Sequence, residues 1–233
     1  MTLQRIGGIA GLMCAATYLF GFALLVTLLA PLGFGSSDID ARAVVEFIQN
    51  QPGLLIVWNS VIYILNALAL ALLVVALHAR LRHATPDWAA VAQALGLIWA
   101  TLVIGAGMIA NVAVERAFQL APSDVDRAVA RWETLHAVEL GLGGGNEIAG
   151  GVWIGIVSLA GLIGRSLGKV TIGLGLLTGV GGLLTLIPSI GDAAGAVFGL
   201  GAIAWFMAIG FTFSFKRDPA AAYPTSQIAG SDQ

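Results

Sequence analysis

The sequence predicts an all-α, polytopic membrane protein: a bundle of six transmembrane helices with two short amphipathic helices on its outer face. Three observations carry this. Of 233 residues, 58% are hydrophobic and only 10% charged, where a soluble domain carries about 25% charged residues. The charges are gathered so that long uncharged intervals separate them, and an interval of about 20 residues is what a bilayer core demands of a helix. These intervals are continuously apolar rather than alternating, which excludes a transmembrane β-barrel.

The first interval, between Arg5 and Asp38, predicts a helix over 6–30. It is longer than the apolar core of a signal peptide and lacks a small-x-small cleavage pattern, so it reads as a retained first helix. Residues 38–50 follow, with Ser37 and Asp38 as candidate caps and Ala41, Val44, Val45 and Ile48 on one face, before Pro52-Gly53 stops the pattern. Two more intervals predict helices over 53–78 and 88–114. After Pro122, with Ser123 or Asp124 as cap, residues 123–139 place Val125, Val129 and Trp132 at i, i+4, i+7. The last three spans are 141–164, 170–188 and 193–215, each close to the length a bilayer requires at 1.5 Å per residue. They complete a single domain over 1–217, and the Ala-, Pro-, Ser- and Gln-containing tail 218–233 reads as disordered and cytoplasmic.

Lys and Arg set the orientation. Seven of them (Arg5, Arg80, Arg82, Arg165, Lys169, Lys216, Arg217) fall on one side and four (Arg42, Arg116, Arg127, Arg131) on the other, which predicts that both termini face the cytoplasm, with the chain in the plasma membrane. Nine acids, from Asp38 to Asp192, lie on the four-base side and make the outer face anionic. Lipid-surface helices usually carry bases on their polar face. The acids on 38–50 and 123–139 therefore favour helices lying over the outer mouth of the bundle.

Composition bounds the chemistry. Cys14 is the single cysteine, so no internal disulfide and no multi-thiolate metal site can form. A net charge of −2 leaves no basic footprint for nucleic acid. Twenty of 31 glycines fall in 141–210, with i, i+4 pairs at Gly151/Gly155 and Gly175/Gly179 and a ladder Gly191, Gly195, Gly199. Such surfaces let membrane helices approach closely, and packing within the chain is favoured over a homo-oligomer. Helices one to three and four to six show no internal repeat, which weakens an inverted-repeat transporter.

Polar side chains inside the spans are the best pointers to a site, because hydrocarbon makes each one costly. Asn59, Tyr63 and Asn66 are spaced i, i+4, i+7 on the second span, and Asn111 and Glu115 sit at i, i+4 on the third. The segment Gly143 to Gly151 sets Asn146 and Glu147 among five glycines. Counted at 1.5 Å per residue, these residues share one layer near the outer boundary, with His136 and Glu139 projecting toward it if the 123–139 helix runs on into the fourth span. The candidate ligand-binding cluster is thus Asn59, Tyr63, Asn66, Asn111, Glu115, His136, Glu139, Asn146 and Glu147, with Arg116 or Arg131 as expected partner of Glu147. The asparagines have an alternative as interhelical glue. A metal site from Glu115, His136, Glu139 and Glu147 lacks the spacing of catalytic zinc, and no cofactor motif occurs. His78 and His83 beside Arg80 and Arg82 read as a solvated basic loop.

The run GGGNEIAGGVWIGIVSLAGLIG (Gly143 to Gly164), LLTLIP ending at Pro188, AVFGLGAIAWF in the last span and RIGGIAG from Arg5 resemble a bacterial family of small multi-pass membrane proteins classed as a domain of unknown function. The resemblance covers most of 6–215. It implies six membrane helices and carries no catalytic residues with it. The expected function is a membrane protein that binds or passes a small polar or cationic ligand through an outer-leaflet pocket. The alternatives are a membrane-embedded enzyme using Glu and His, or an assembly partner without ligand.

Overall fold

A computed structural model describes residues 2–36, 39–143 and 147–215. Among these residues there are eight helices and no strand: α1 (Leu3–Leu32), α2 (Ala41–Asn50), α3 (Pro52–Leu81), α4 (Pro86–Leu120), α5 (Val125–Gly141), α6 (Glu147–Ile163), α7 (Lys169–Leu184) and α8 (Pro188–Phe215). α1, α3, α4 and α8 are long and apolar enough to cross a bilayer, while α6 and α7 are apolar but shorter. Asn146, the caps Ser37 and Asp38, and the tail 218–233 lie outside the described residues.

Local chemistry sets the helix boundaries. Thr2, Asp40 and Asp124 cap α1, α2 and α5, each side chain accepting a first-turn backbone N–H, that of Arg5, Ala43 and Arg127 respectively. Pro52 and Pro86 open α3 and α4, where a missing N–H costs nothing. α5 ends at Gly141, and Gly143 adopts φ +101°, a left-handed conformation that suits glycine. The 123–139 helix does not run on into the fourth span, the condition set for His136 and Glu139 to project toward the polar layer: the chain turns at 142–143. The third span also runs on to Leu120, and the last begins at Pro188 rather than 193. Two long helices contain π-helical turns, Leu25–Leu29 in α1 and Ser60–Leu65 in α3.

Six helices pack as a closed ring in the order α1, α3, α4, α6, α7, α8 and back to α1. The middle of the ring is filled by aromatic side chains. Trp99, Trp153, Trp205 and Phe206 are wholly buried, with successive ring centroids 5.5 Å apart from Trp99 to Trp153 to Trp205 to Phe206. α6 and α7 meet through backbone: a Cβ on Gly182 would lie 2.2 Å from the Glu147 carbonyl oxygen, and one on Gly179 would lie 3.0 Å from Gly155 Cα. Gly151, Gly179 and Gly182 thus serve contacts within the chain.

α2 and α5 lie across one end of the ring. Val44, Ile48 and Trp132 are buried in a second apolar cluster with Leu29 of α1, Leu55 and Trp58 of α3, and Ala113, Val114 and Ala117 of α4. Val129 packs against the same cluster. Arg42 of α2 pairs with Asp126 of α5, and Gln49 Nε2 donates to the Phe118 carbonyl at 3.1 Å.

Candidate functional site

Beneath α2 and α5 the ring is hollow. A cavity of about 810 Å³ lies between α1, α3, α4, α5, α6 and α8, within the range of small-molecule sites. α5 contributes Trp132, His136, Glu139 and Leu140, whose i, i+4, i+7, i+8 spacing puts them on one helical face. α3 contributes Leu55, Trp58, Asn59, Ile62 and Tyr63; α1 contributes Tyr18, Gly21, Phe22 and Leu25. Glu147 enters from the first turn of α6 and Asp192 from the first turn of α8. Small residues of α8, Gly195, Ala196 and Gly199, leave the space open.

The deepest polar group is Glu139, only 3% exposed. Tyr63 Oη donates to its Oε1 at 2.8 Å, and His136 Nδ1 lies 2.9 Å from Oε2. A buried carboxyl is tolerable only with such partners. Gly107 makes room for the donor, since a Cβ there would sit 2.4 Å from Tyr63 Cβ. His136 in turn stacks on Trp132, with centroids 4.7 Å apart and planes 18° from parallel, and Phe34 meets Trp58, Trp132 and His136 edge-on. The carboxyls are graded by depth: Asp192 is exposed, Glu147 half-buried and Glu139 buried. No Lys or Arg lines the cavity among the described residues.

Five of the predicted residues, Asn59, Tyr63, His136, Glu139 and Glu147, line this one cavity. Three do not. Asn66 turns to α1, donating from Nδ2 to Thr17 Oγ1 at 2.6 Å and to the Cys14 carbonyl at 3.5 Å. Asn111 Nδ2 donates to Ser60 Oγ at 3.1 Å and so ties α4 to α3. Glu115 is exposed. Arg116 bonds Gln119 at 3.0 Å, Arg131 is exposed, and no salt bridge joins either to Glu147 among the described residues. The expected pairing fails because both arginines lie on surface faces of their helices. With Glu115 turned outward, the four-residue metal set does not assemble, and no group of three His, Cys, Asp or Glu is placed for a metal among the described residues.

The residue reading missed the aromatic wall, Tyr18, Phe34, Trp58 and Trp132, and the rim carboxyl Asp192. Asp192 carried a signal, as the single acid between two apolar intervals. Trp58 carried one as the neighbour of Asn59, and Phe34 sits between Gly33 and Gly35, both at positive φ, in a turn the sequence marks with glycines. No family model, curated protein or solved structure matches the chain.

Proposed function

We propose that this chain is an integral protein of the bacterial plasma membrane, with six spans and cytoplasmic termini, that binds a small organic cation in the cavity under α2 and α5. The observation that carries the ligand class is the lining: three carboxyls, a wall of aromatic rings and, among the described residues, no Lys or Arg. Carboxyls attract a cation in a partly dry site far more strongly than in water, and a ring face adds about 0.5–2 kcal/mol for an ammonium within ~6 Å. An anion would meet the repulsion of the three carboxyls with no Lys or Arg among the described lining residues to offset it.

The ring order supports six spans, since α6 and α7 stand between α4 and α8 as equal members of it. At 1.5 Å per residue they are about 25 Å long, a few ångström below the usual hydrocarbon thickness, a mismatch that bilayers accommodate at modest cost. α2 and α5 read as amphipathic outer-face helices, their apolar sides turned to the bundle and their acids other than Glu139 to solvent. Tyr18 packs on Phe206, centroids 5.9 Å apart, and Phe206 belongs to the buried aromatic layer across the ring. That floor favours binding over passage.

Benzyltrimethylammonium titrated into the full chain in dodecylmaltoside, followed by the fluorescence of Trp58 and Trp132, tests the reading. Saturable quenching is expected, weakened at least tenfold (~1.4 kcal/mol) by Glu147→Gln and unchanged by Glu115→Gln. Equal binding of an uncharged probe of the same shape, or equal loss in the Glu115 variant, would refute it.

A further inference from the structure

At the opposite end of the ring a second cleft, of about 350 Å³, separates the start of α1 from the ends of α3 and α6. Its polar lining is the reverse of the first: Arg80, His83 and Arg165, with Thr2, Gln4 and Ser166 and no acidic residue among the described ones. We propose that this cleft is a binding site for a phosphate group, carried by an anionic phospholipid headgroup or by a free phosphate.

Four features converge on an anion. Two guanidinium groups reach the cleft, one from α3 and one from the turn after α6, and Arg80 Nη2 donates to the Ser166 carbonyl at 3.4 Å, which ties its fork to the site. Guanidinium matches phosphate oxygens bidentately, which fits this residue type to this ligand. Ser166 Oγ is buried with no hydrogen-bond partner among the described residues, and a hydroxyl there can donate to a ligand oxygen. Thr2 caps α1, so the positive end of that helix faces the same space.

The fourth feature is the backbone of Arg165. α6 closes with a Schellman motif, Ser166 N–H to the Gly161 carbonyl at 3.0 Å and Arg165 N–H to that of Leu162 at 3.3 Å. The left-handed residue of such a motif is usually glycine, and here it is Arg165, at φ +50°, although Gly164 stands one position away. A bulky residue is uncommon in that conformation, and here it sets a cation at the cleft. Leu3, 42% exposed, lines the same space and offers apolar surface beside the basic groups, as the first carbons of an acyl chain require. Basic clefts between membrane helices on the cytoplasmic side are places where anionic headgroups bind. Only the lipid source depends on the membrane reading above.

The test is thermal unfolding of the full chain in dodecylmaltoside with added dioctanoyl phosphatidylglycerol, sodium phosphate or dioctanoylglycerol, the last lacking phosphate, at constant ionic strength. A saturable rise in Tm is expected with phosphatidylglycerol, with none from dioctanoylglycerol. A rise with sodium phosphate as well identifies a site open to free phosphate, and a rise with the lipid alone identifies the headgroup. Arg165→Asn, which keeps a residue tolerant of the left-handed region, and Arg80→Gln should each raise the half-saturating concentration at least tenfold. Arg82→Gln, on the same end but outside the cleft, should leave it within twofold. Should Arg80→Gln fail to fold, the exposed Arg165 decides. No rise with either phosphate carrier, an equal rise with dioctanoylglycerol, or an equal loss in the Arg82 variant would overturn the proposal.

Discussion

The bond from Tyr63 to Glu139 joins α3 of the ring to α5 above it, and its worth can be measured as a double-mutant cycle. Tyr63→Phe keeps the ring, which is 9% exposed, and removes the hydroxyl that donates to Glu139 Oε1 at 2.8 Å. Glu139→Leu removes the carboxyl, which is 3% exposed, and leaves that hydroxyl and His136 Nδ1 without it. Each single change takes a partner from a buried polar group, at about 1–3 kcal/mol. The double variant replaces both partners by apolar groups, which is far less costly than the sum. The expected coupling is therefore about 1–2 kcal/mol, well above the ~0.3–0.5 kcal/mol scatter of independent sites. Reversible unfolding in mixed micelles of sodium dodecyl sulfate and dodecylmaltoside gives the four free energies, and amide exchange over 125–141 shows whether α5 loosens first. Additive losses, or single losses under ~0.5 kcal/mol, would refute the clasp.

Three further outcomes are expected. Gly182→Ala should destabilise by about 1–3 kcal/mol in the same assay, because its Cβ would stand 2.2 Å from the Glu147 carbonyl oxygen and 2.8 Å from Gly151 Cα, backbone that cannot step aside without parting α6 from α7; Gly195→Ala, with open space around it, should be neutral or gain up to ~1 kcal/mol. Asn66→Leu should lower stability by about 1 kcal/mol through loss of its bonds to Thr17 and Cys14, and leave benzyltrimethylammonium binding unchanged; a binding defect at full stability would return Asn66 to the site. With single cysteines in a Cys14→Ser background, an impermeant thiol reagent on intact cells should label position 123 and spare position 226, and the reverse pattern would invert the proposed topology.

The helical class and most helix positions were legible because they depend on one-dimensional properties: uncharged length, Pro and Gly punctuation, and caps such as Asp124. Depth along the bundle was legible for the same reason, since a fixed rise per residue converts sequence number into height. What the sequence did not carry was azimuth. Glu115 and Asn111 stand at plausible heights, yet only the packing of α4 against α3 and α5 decides that Ala110, Ala113 and Val114 face the cavity while Glu115 faces outward. The aromatic wall was hidden because Trp and Phe in an apolar chain look like any other core residue until a hollow is found beside them.

Asn66 shows most clearly how azimuth was lost. On a regular α-helix, Asn59, Tyr63 and Asn66 share a face, since spacings of four and seven residues return close to the starting direction. α3 instead contains a π-helical turn at Ser60–Leu65, and such a turn holds one residue more than an α-turn. One extra residue sets everything after it back by about 100°, the rotation of a single residue. Asn59 and Tyr63 stay on the cavity side, while Asn66 swings round to Thr17 on α1. The same turn frees Ser60 Oγ to accept from Asn111. Thus the π-turn divides one polar stripe between two tasks: the residues before and within it enter the cavity, and the one after it fastens α3 to α1 at the level of Cys14. Deleting one residue within 60–65 would regularise the turn and, because it removes the residue the π-turn holds in excess, leave Asn66 facing Thr17 on α1, so adding Asn66→Leu to the deletion should still cost about 1 kcal/mol in the unfolding assay.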